Sequence, residues 1–411
     1  MNKNLKKFIK KIIYNKYYYR IQRLKMKNIC CIEEKTNIVF LVQRTEIFTS
    51  VMSVYYQMTK KNNVKVILVA LPRYDHTADE NKMKYETIMG NLEFCKKLPG
   101  KHESISSFDF KKEKFIDLKE LNAKYIFLGL PYTHEYPDEY SFDKMSKYAD
   151  LCYIPYGHFF ADGEKMIENC FQRELLCTAK KLFCDCKKTF DYCKNKLSYC
   201  EKKEKSQIVY DIGFPRFDLI KTNNNNNNNK IQTFLWLPRW TTSKDNNEKS
   251  SFMEYRNTIL DFFELRKDLE LIIRPHPLMF SNYINKNILT ENEIVEYKRR
   301  IEKLGNVTLD ASESYLGALQ KADCVICDYT SIMIEFYIMN KPVLYLDKVD
   351  NMDELVVNGL YLSENVETTF KKVEKLSKDG DILFEKRKEY IKLLKGENIG
   401  KMICDNLLNE K

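Results

Sequence analysis

The chain has 411 residues, 68 Lys+Arg against 58 Asp+Glu, and a net charge of +10. Ten of the basic residues and none of the acidic ones fall in positions 1–28, so the rest of the chain balances at 58 against 58. A neutral body excludes a nucleic-acid groove spread over the protein. A hydrophobic share of 44% excludes a disordered chain.

The length predicts two or three domains. No apolar run reaches the ~20 residues of a membrane-spanning helix, and no secretory leader is recognisable, which predicts a cytoplasmic protein. Thirteen cysteines in a cytoplasmic chain read as buried thiols rather than a disulfide framework. Cys324 and Cys327 have the CxxC spacing, but within an extended run their side chains take opposite faces, which suits packing better than shared metal ligation.

In positions 1–28, Leu5, Phe8, Ile9, Ile12 and Ile13 recur at helical spacing between Lys6, Lys7, Lys10 and Lys11. This pattern predicts a basic amphipathic helix lying on an anionic membrane surface, with Tyr17, Tyr18 and Tyr19 at its boundary. Residues 29–222 then alternate short apolar runs with polar helical stretches. The runs are Asn37–Val42, Val64–Ala70, Tyr125–Gly129, Leu151–Pro155 and Leu182–Cys184. This is the pattern of a parallel α/β sheet.

Seven consecutive asparagines at 223–229 mark a linker over 223–230. The βα pattern resumes over 231–365 with Thr233–Leu237, Leu269–Arg274, Asn306–Leu309, Asp323–Cys327 and Pro342–Leu346. Residues 366–411 read as charged C-terminal helices. The predicted fold class is α/β, with two Rossmann-like domains facing a cleft at the carboxyl ends of their strands.

Chemistry concentrates at those strand ends. Arg274-Pro275-His276-Pro277 follows an apolar strand, and its two prolines stiffen a loop that presents a guanidinium and an imidazole. Such groups suit phosphate binding and transition-state charge. Asp328-Tyr329-Thr330-Ser331 follows another strand and precedes a helix predicted over Ile332–Asn340, a setting that favours an anion and makes Asp328, Thr330 and Ser331 candidate substrate contacts.

In the first half, Tyr156-Gly157-His158 ends a strand, and His158 suits a general base. Gly213-Phe214-Pro215-Arg216-Phe217-Asp218 and Leu237-Pro238-Arg239-Trp240 flank the linker, and Arg216 and Arg239 are candidates for phosphate contact or for bridging the domains. His76, His102 and His134 lie in polar stretches and read as incidental. Asp379-Gly380-Asp381 lies in a charged turn rather than at a strand end, and neither a Walker loop nor GxGxxG is present, so the reading names no metal and no cofactor.

Together GFPRFD at 213–218, LPRW at 237–240, RPHP at 274–277 and DCVICDYTSIMIEFYIMNKPVLYL at 323–346 resemble the CDP-glycerol glycerophosphotransferase family, which primes or polymerises teichoic-acid-like chains. The resemblance covers roughly residues 150–350. It implies a glycosyltransferase-B type fold and a membrane-associated cytoplasmic enzyme that passes glycerol phosphate from CDP-glycerol to a lipid-linked or polysaccharide hydroxyl, with release of CMP. It implies His158 as base and His276 on the pyrophosphate. Thr330 and Ser331 would hold phosphate or the cytidylyl group, and Glu335 would lie near the ribose or glycerol. The family's Trp-His-Gly becomes Tyr156-Gly157-His158 here, Thr330 replaces a Ser, and Arg274 replaces a frequent Lys. Two alternatives stand beside this reading: another donor of the same class (CDP-ribitol or a nucleotide sugar), and a non-catalytic scaffold in a polysaccharide assembly complex.

Overall fold

Seven parallel strands make the first sheet: β1 (Thr36–Val42), β2 (Val64–Ala70), β3 (Glu103–Ser106), β4 (Ala123–Leu128), β5 (Asp150–Tyr153), β6 (Lys181–Cys184) and β7 (Ile208–Asp211). This computed structural model describes residues 35–76, 81–160, 164–201, 207–220, 230–242, 250–312, 315–347, 349, 352–394 and 396–409. The basic segment 1–28, with Lys6, Lys7, Lys10 and Lys11, and the asparagine tract 223–229 lie outside the described residues. The chain divides into two units, one of Met1–Phe159, Gly163–Leu219 and Lys395–Lys411, the other of Phe160–Asp162 and Ile220–Leu394.

The first sheet runs in the order β7-β6-β5-β4-β1-β2-β3. Its central strand shows why. In β1, Val39 and Leu41 pack into one core while Ile38, Phe40 and Val42 pack into another, so both faces are covered and all five positions from Ile38 to Val42 are apolar. The edge strand β3, Glu-Ser-Ile-Ser, is exposed or half-buried along its length. That is why no apolar run announced it, and the other edge, β7, escaped the sequence reading too.

The second sheet has β8 (Thr233–Leu237), β9 (Glu270–Ile273), β10 (Val307–Leu309), β11 (Cys324–Cys327), β12 (Val343–Tyr345) and β13 (Leu360–Leu362). Its order is β10-β9-β8-β11-β12-β13, all parallel. Counted from β8 this is 3-2-1-4-5-6, the doubly wound nucleotide-binding order. The order in which strands are added reverses between β8 and β11, and ligands of such sheets bind beyond the carboxyl ends there. Cys324 belongs to the main core of this unit. Both Cys324 and Cys327 are fully buried, and burial drives their thiols well above the usual range.

The segment 366–411, read as one set of C-terminal helices, is divided between the units. Val366–Asp379 and Phe384–Ile391 stay with the second, and Ile399–Leu408 joins the first. Its apolar face, Ile399, Ile403, Cys404 and Leu407, enters the core beside Tyr55 and Met58 of the helix Met52–Thr59. A Cβ on Gly400 would stand 2.2 Å from Ser53 Oγ, so only glycine permits this approach. Asp218 caps the helix from far away in sequence, accepting from the backbone N–H of Ile399 (2.9 Å) and Gly400 (2.7 Å) and from the Ser53 hydroxyl (2.8 Å). Among the described residues no helix is long and apolar enough to cross a membrane.

Candidate active site

In the second unit the three predicted segments meet at one sheet edge. The register pairs Leu237 with Cys327 and Trp236 with Ile273, so Pro238, Arg274 and Asp328 leave neighbouring strands side by side. Asp328 fixes this edge. Its carboxylate is buried and accepts the backbone N–H of Arg239 at 2.8 Å and of Ser251 at 3.0 Å. Burial pushes its carboxyl up to about 6; the two N–H groups pull it down, and nearby Asp347 adds a smaller push up. Asp328 therefore holds the LPRW loop in place, where the sequence reading had placed it among the substrate contacts.

Held this way, the Arg239 guanidinium lies 5.8 Å from the Tyr329 ring centroid, and the exposed Trp240 ring lies 5.7 Å from that of His276. His276 is exposed, and its Nδ1 accepts the Leu278 N–H at 3.2 Å. A neutral imidazole with Nδ1 accepting carries its proton on Nε2 and can donate it to a ligand oxygen.

Arg274 behaves otherwise. Its guanidinium pairs with Asp310 at 2.5 Å and also donates to the Ser312 hydroxyl (3.1 Å) and carbonyl (2.9 Å). The expected phosphate ligand is engaged by the end of β10, which leaves His276 as the outward group of the RPHP loop. Thr330 is half-buried, its hydroxyl turned to the Ile332 N–H (3.4 Å), while Ser331 is exposed and makes no cap bond. The helix that follows, Ile332–Ile338, has seven residues and is shorter than expected. Glu335 lies on its inner side, buried, accepting the Tyr315 hydroxyl at 2.7 Å. A carboxylate held there supports the helix; the sequence reading had put it near ribose or glycerol.

Asp381, read as part of a solvated turn, instead pairs with the buried Arg387 and accepts the Tyr361 hydroxyl at 2.8 Å. Gly359 passes so close to the Arg387 stem and to Tyr337 that a Cβ would lie 2.6 Å from Arg387 Cγ and 2.2 Å from the Tyr337 hydroxyl.

In the first unit, His158 follows β5 as expected, but its side chain is buried where the sequence reading had it facing a cleft. Its Nδ1 lies 2.8 Å from Asp185 Oδ2, with both side chains fully enclosed. Asp185 follows β6 and also accepts the Phe159 N–H (2.7 Å) and the Thr189 hydroxyl (2.8 Å). Burial alone would raise its carboxyl. The hydrogen bond and charge of His158, with the Phe159 and Thr189 donors, outweigh burial and hold it below the usual range.

The GFPRFD segment lies behind the imidazole. The Phe217 ring meets it edge-on at 5.2 Å and Phe214 lies at 6.4 Å, while Arg216 is buried with its guanidinium 5.5 Å from Phe214. Arg216 thus belongs to the packing around His158 and is not presented to solvent. Of the histidines read as incidental, His102 is built into the packing, with Nδ1 2.8 Å from the Tyr55 hydroxyl and Nε2 2.9 Å from the Cys95 carbonyl.

Asp185 is the residue the sequence reading missed. The signal was present, since Cys184-Asp185 repeats the pattern of Cys327-Asp328: an acid directly after an apolar strand. Among the described residues no group of three or more His, Cys, Asp or Glu side chains is placed to hold a metal ion.

Residues 199–365 match the family model described as CDP-Glycerol:Poly(glycerophosphate) glycerophosphotransferase. No curated protein sequence matches the chain significantly. Several solved structures share the fold. A UDP-N-acetylglucosamine 2-epimerase superposes with a TM-score of 0.56 at 12% identity, covering 92% of this chain and 96% of that one. The UDP-GlcNAc 2-epimerase from Neisseria meningitidis, bound to UDP-GlcNAc, gives 0.54 at 12% identity, over 91% and 100%. The wall teichoic acid polymerase TagF, soaked with CDPG, gives 0.53 at 13% identity, over 98% and 97%. At such identities the likeness is one of fold, two Rossmann-like domains of glycosyltransferase-B type. The match over 199–365, which carries the RPHP loop and the strand end before Asp328, makes that segment similar to the CDP-glycerol:poly(glycerophosphate) glycerophosphotransferase family and indicates a glycerophosphotransferase-type enzyme.

Proposed function

We propose that the chain moves glycerol phosphate from CDP-glycerol to a hydroxyl of a lipid-linked or polysaccharide acceptor in teichoic-acid-like or capsule synthesis. The acceptor oxygen attacks the glycerol-bearing phosphorus, the bond from that phosphorus to the bridging oxygen breaks, and CMP leaves with the bridging electrons. The hydroxyl proton passes to a base. Such transfers need alignment and neutralisation of phosphate charge more than covalent chemistry.

The observation that carries this reading is His276. It is the exposed, outward imidazole at the switch point of a doubly wound sheet, with its Nδ1 accepting the Leu278 N–H, and it stands where the pyrophosphate would lie. Arg239, Trp240, Thr330 and Ser331 border the same edge. Arg239 and the two hydroxyls suit phosphate, and Trp240 offers a ring face to the base or ribose.

His158 takes the role of base in this proposal. With Nδ1 2.8 Å from Asp185 Oδ2, Nε2 would be the proton acceptor once the enclosed imidazole opens to the acceptor hydroxyl, and the imidazolium that forms would face a carboxylate held ionised. The basic stripe at 1–28 would hold the enzyme on the inner membrane face, each lysine adding about 1 kcal/mol near an anionic surface.

A donor panel tests the function. Purified protein is incubated with CDP-glycerol, CDP-ribitol and UDP-sugars plus a lipid-linked acceptor, and the released nucleotide is identified. CMP from CDP-glycerol is expected. CMP from CDP-ribitol alone or UDP from a sugar donor would reassign the donor, and CDP-glycerol binding without turnover on any acceptor would make the chain a scaffold.

A further inference from the structure

The first unit carries a second crevice. The order of its strands also reverses, between β1 and β4, and beyond the carboxyl ends of those strands lies a narrow opening lined by Gln43, Arg44, Ile47, Ser50, Leu128 and Gly129, among others. Its walls are built. Asn91 donates to the carbonyls of Gln43 (2.9 Å) and Leu71 (2.7 Å), fixing the chain after β1. Tyr136 accepts from the Leu130 N–H (2.8 Å) and donates to the Leu130 carbonyl (3.0 Å), fixing the chain after β4.

Two of the lining residues carry an unmet polar atom. Gln43 is buried and its Nε2 donates to the Glu135 carbonyl, which fixes the orientation of the amide. Its Oε1 then faces the other way and has no hydrogen-bond partner among the described residues. Arg44 Nε is likewise buried and unmatched among them, although the guanidinium reaches Glu135 at 3.5 Å and the side chain is 29% exposed. Buried polar atoms are almost always paired, so an acceptor and a cationic donor left open in one crevice mark a place for a ligand that supplies the complements.

We propose that this crevice binds the end of the acceptor, as a hydroxyl-bearing phosphate ester. The hydroxyl enters and donates to Gln43 Oε1, while the phosphate lies at the mouth against Arg44. The enclosed part of the opening has room for about one water-sized group, the size of a hydroxyl. His158 leaves β5, the neighbour of β4, so the crevice and the proposed base share one sheet edge. This assignment rests on the glycerophosphotransferase reading for its biological sense, but its ligand chemistry comes from Gln43 and Arg44 alone.

Calorimetry on the full chain tests it, with glycerol 3-phosphate, glycerol and inorganic phosphate as probes and CDP-glycerol titrated separately. Glycerol 3-phosphate should bind, more tightly than either part, and Arg44→Gln or Gln43→Leu should weaken it about tenfold or more, the effect of one charge-assisted or buried hydrogen bond. Arg44 is partly exposed, so its variant stays informative if Gln43→Leu fails to fold, and unchanged CDP-glycerol binding certifies the fold. Vesicles of phosphatidylglycerol form a second arm. Weakening by these variants with vesicles alone would assign the same chemistry to a lipid headgroup.

Equal binding of all probes by wild type and variants in both arms would mean that only a bridging water occupies the crevice, and would overturn the proposal. If CDP-glycerol fails to bind while glycerol 3-phosphate binds through Arg44, the donor reading falls and the crevice stands.

Discussion

His158 Nδ1 and Asp185 Oδ2 lie 2.8 Å apart with both side chains fully enclosed, although the residues come from different strand ends of the first sheet. The carboxylate fixes which imidazole nitrogen carries the proton and faces the positive charge that forms if the other nitrogen accepts one. Asp185→Asn should preserve the shape and spoil the tautomer. The expected result is a fall in kcat of about 10²- to 10⁴-fold with KM for CDP-glycerol within twofold, read from CMP release. A parallel fall in KM and kcat, or none, would make the pair structural.

The same pair sets a pH signature. Asp185 is held below its ordinary value, so its contribution to stability is complete above the unfolded-state pKa of about 4 and is lost as pH falls through the lower folded value. Denaturant melts should show wild type more stable than Asp185→Asn at pH 7, with the gap closing below about pH 4.

Asp328 carries the opposite sign. Its carboxyl is raised to about 6 by burial, so the folded protein binds a proton there that the unfolded chain has released. Stability from this group is present below about pH 4 and declines as pH rises towards 6. Asp328→Asn, which keeps an oxygen for the N–H groups of Arg239 and Ser251, should remove that part of the pH dependence. A melt series from pH 4 to pH 7 checks it.

His276→Ala should abolish transfer while leaving the melting temperature within about a degree or two, because the side chain is exposed and its Nδ1 satisfies a single backbone N–H. Binding of CDP-glycerol should weaken in the same variant, whereas an intact donor affinity would place the pyrophosphate elsewhere.

Gly400→Ala tests the packing of the last helix. The added Cβ would meet Ser53 Oγ at 2.2 Å and Ser53 carbonyl carbon at 2.6 Å, so the helix must shift, at a cost of about 1 to 3 kcal/mol. Asp218→Ala should release the same helix by removing its cap, costing about 1 to 2 kcal/mol. Hydrogen exchange over 399–408 should quicken in both.

Deleting residues 1–28 should move the protein from pelleted anionic vesicles into the supernatant, and more completely at high salt. If the truncated chain still sediments with the vesicles, the anchor lies in another segment.

The sequence by itself determined the α/β class and the central strands. β1, β2, β8 and β11 are buried on both faces, and the hydrophobic effect writes that into composition as continuous apolar runs. It also determined which strand ends carry chemistry, since RPHP, DYTS and YGH all follow such runs. Edge strands β3, β7 and β13 were illegible, because a strand with one neighbour and an exposed face needs no apolar run.

What only the tertiary structure decided is what each polar side chain meets. Arg274 and His276 are two residues apart, yet one is paired with Asp310 and the other faces outward. Asp185 and His158 are 27 positions apart, yet they touch. Local sequence reports burial and period, but a charge chooses its partner through distances of a few ångströms that folding alone sets, and at that range the partner decides whether a group is free to meet a substrate.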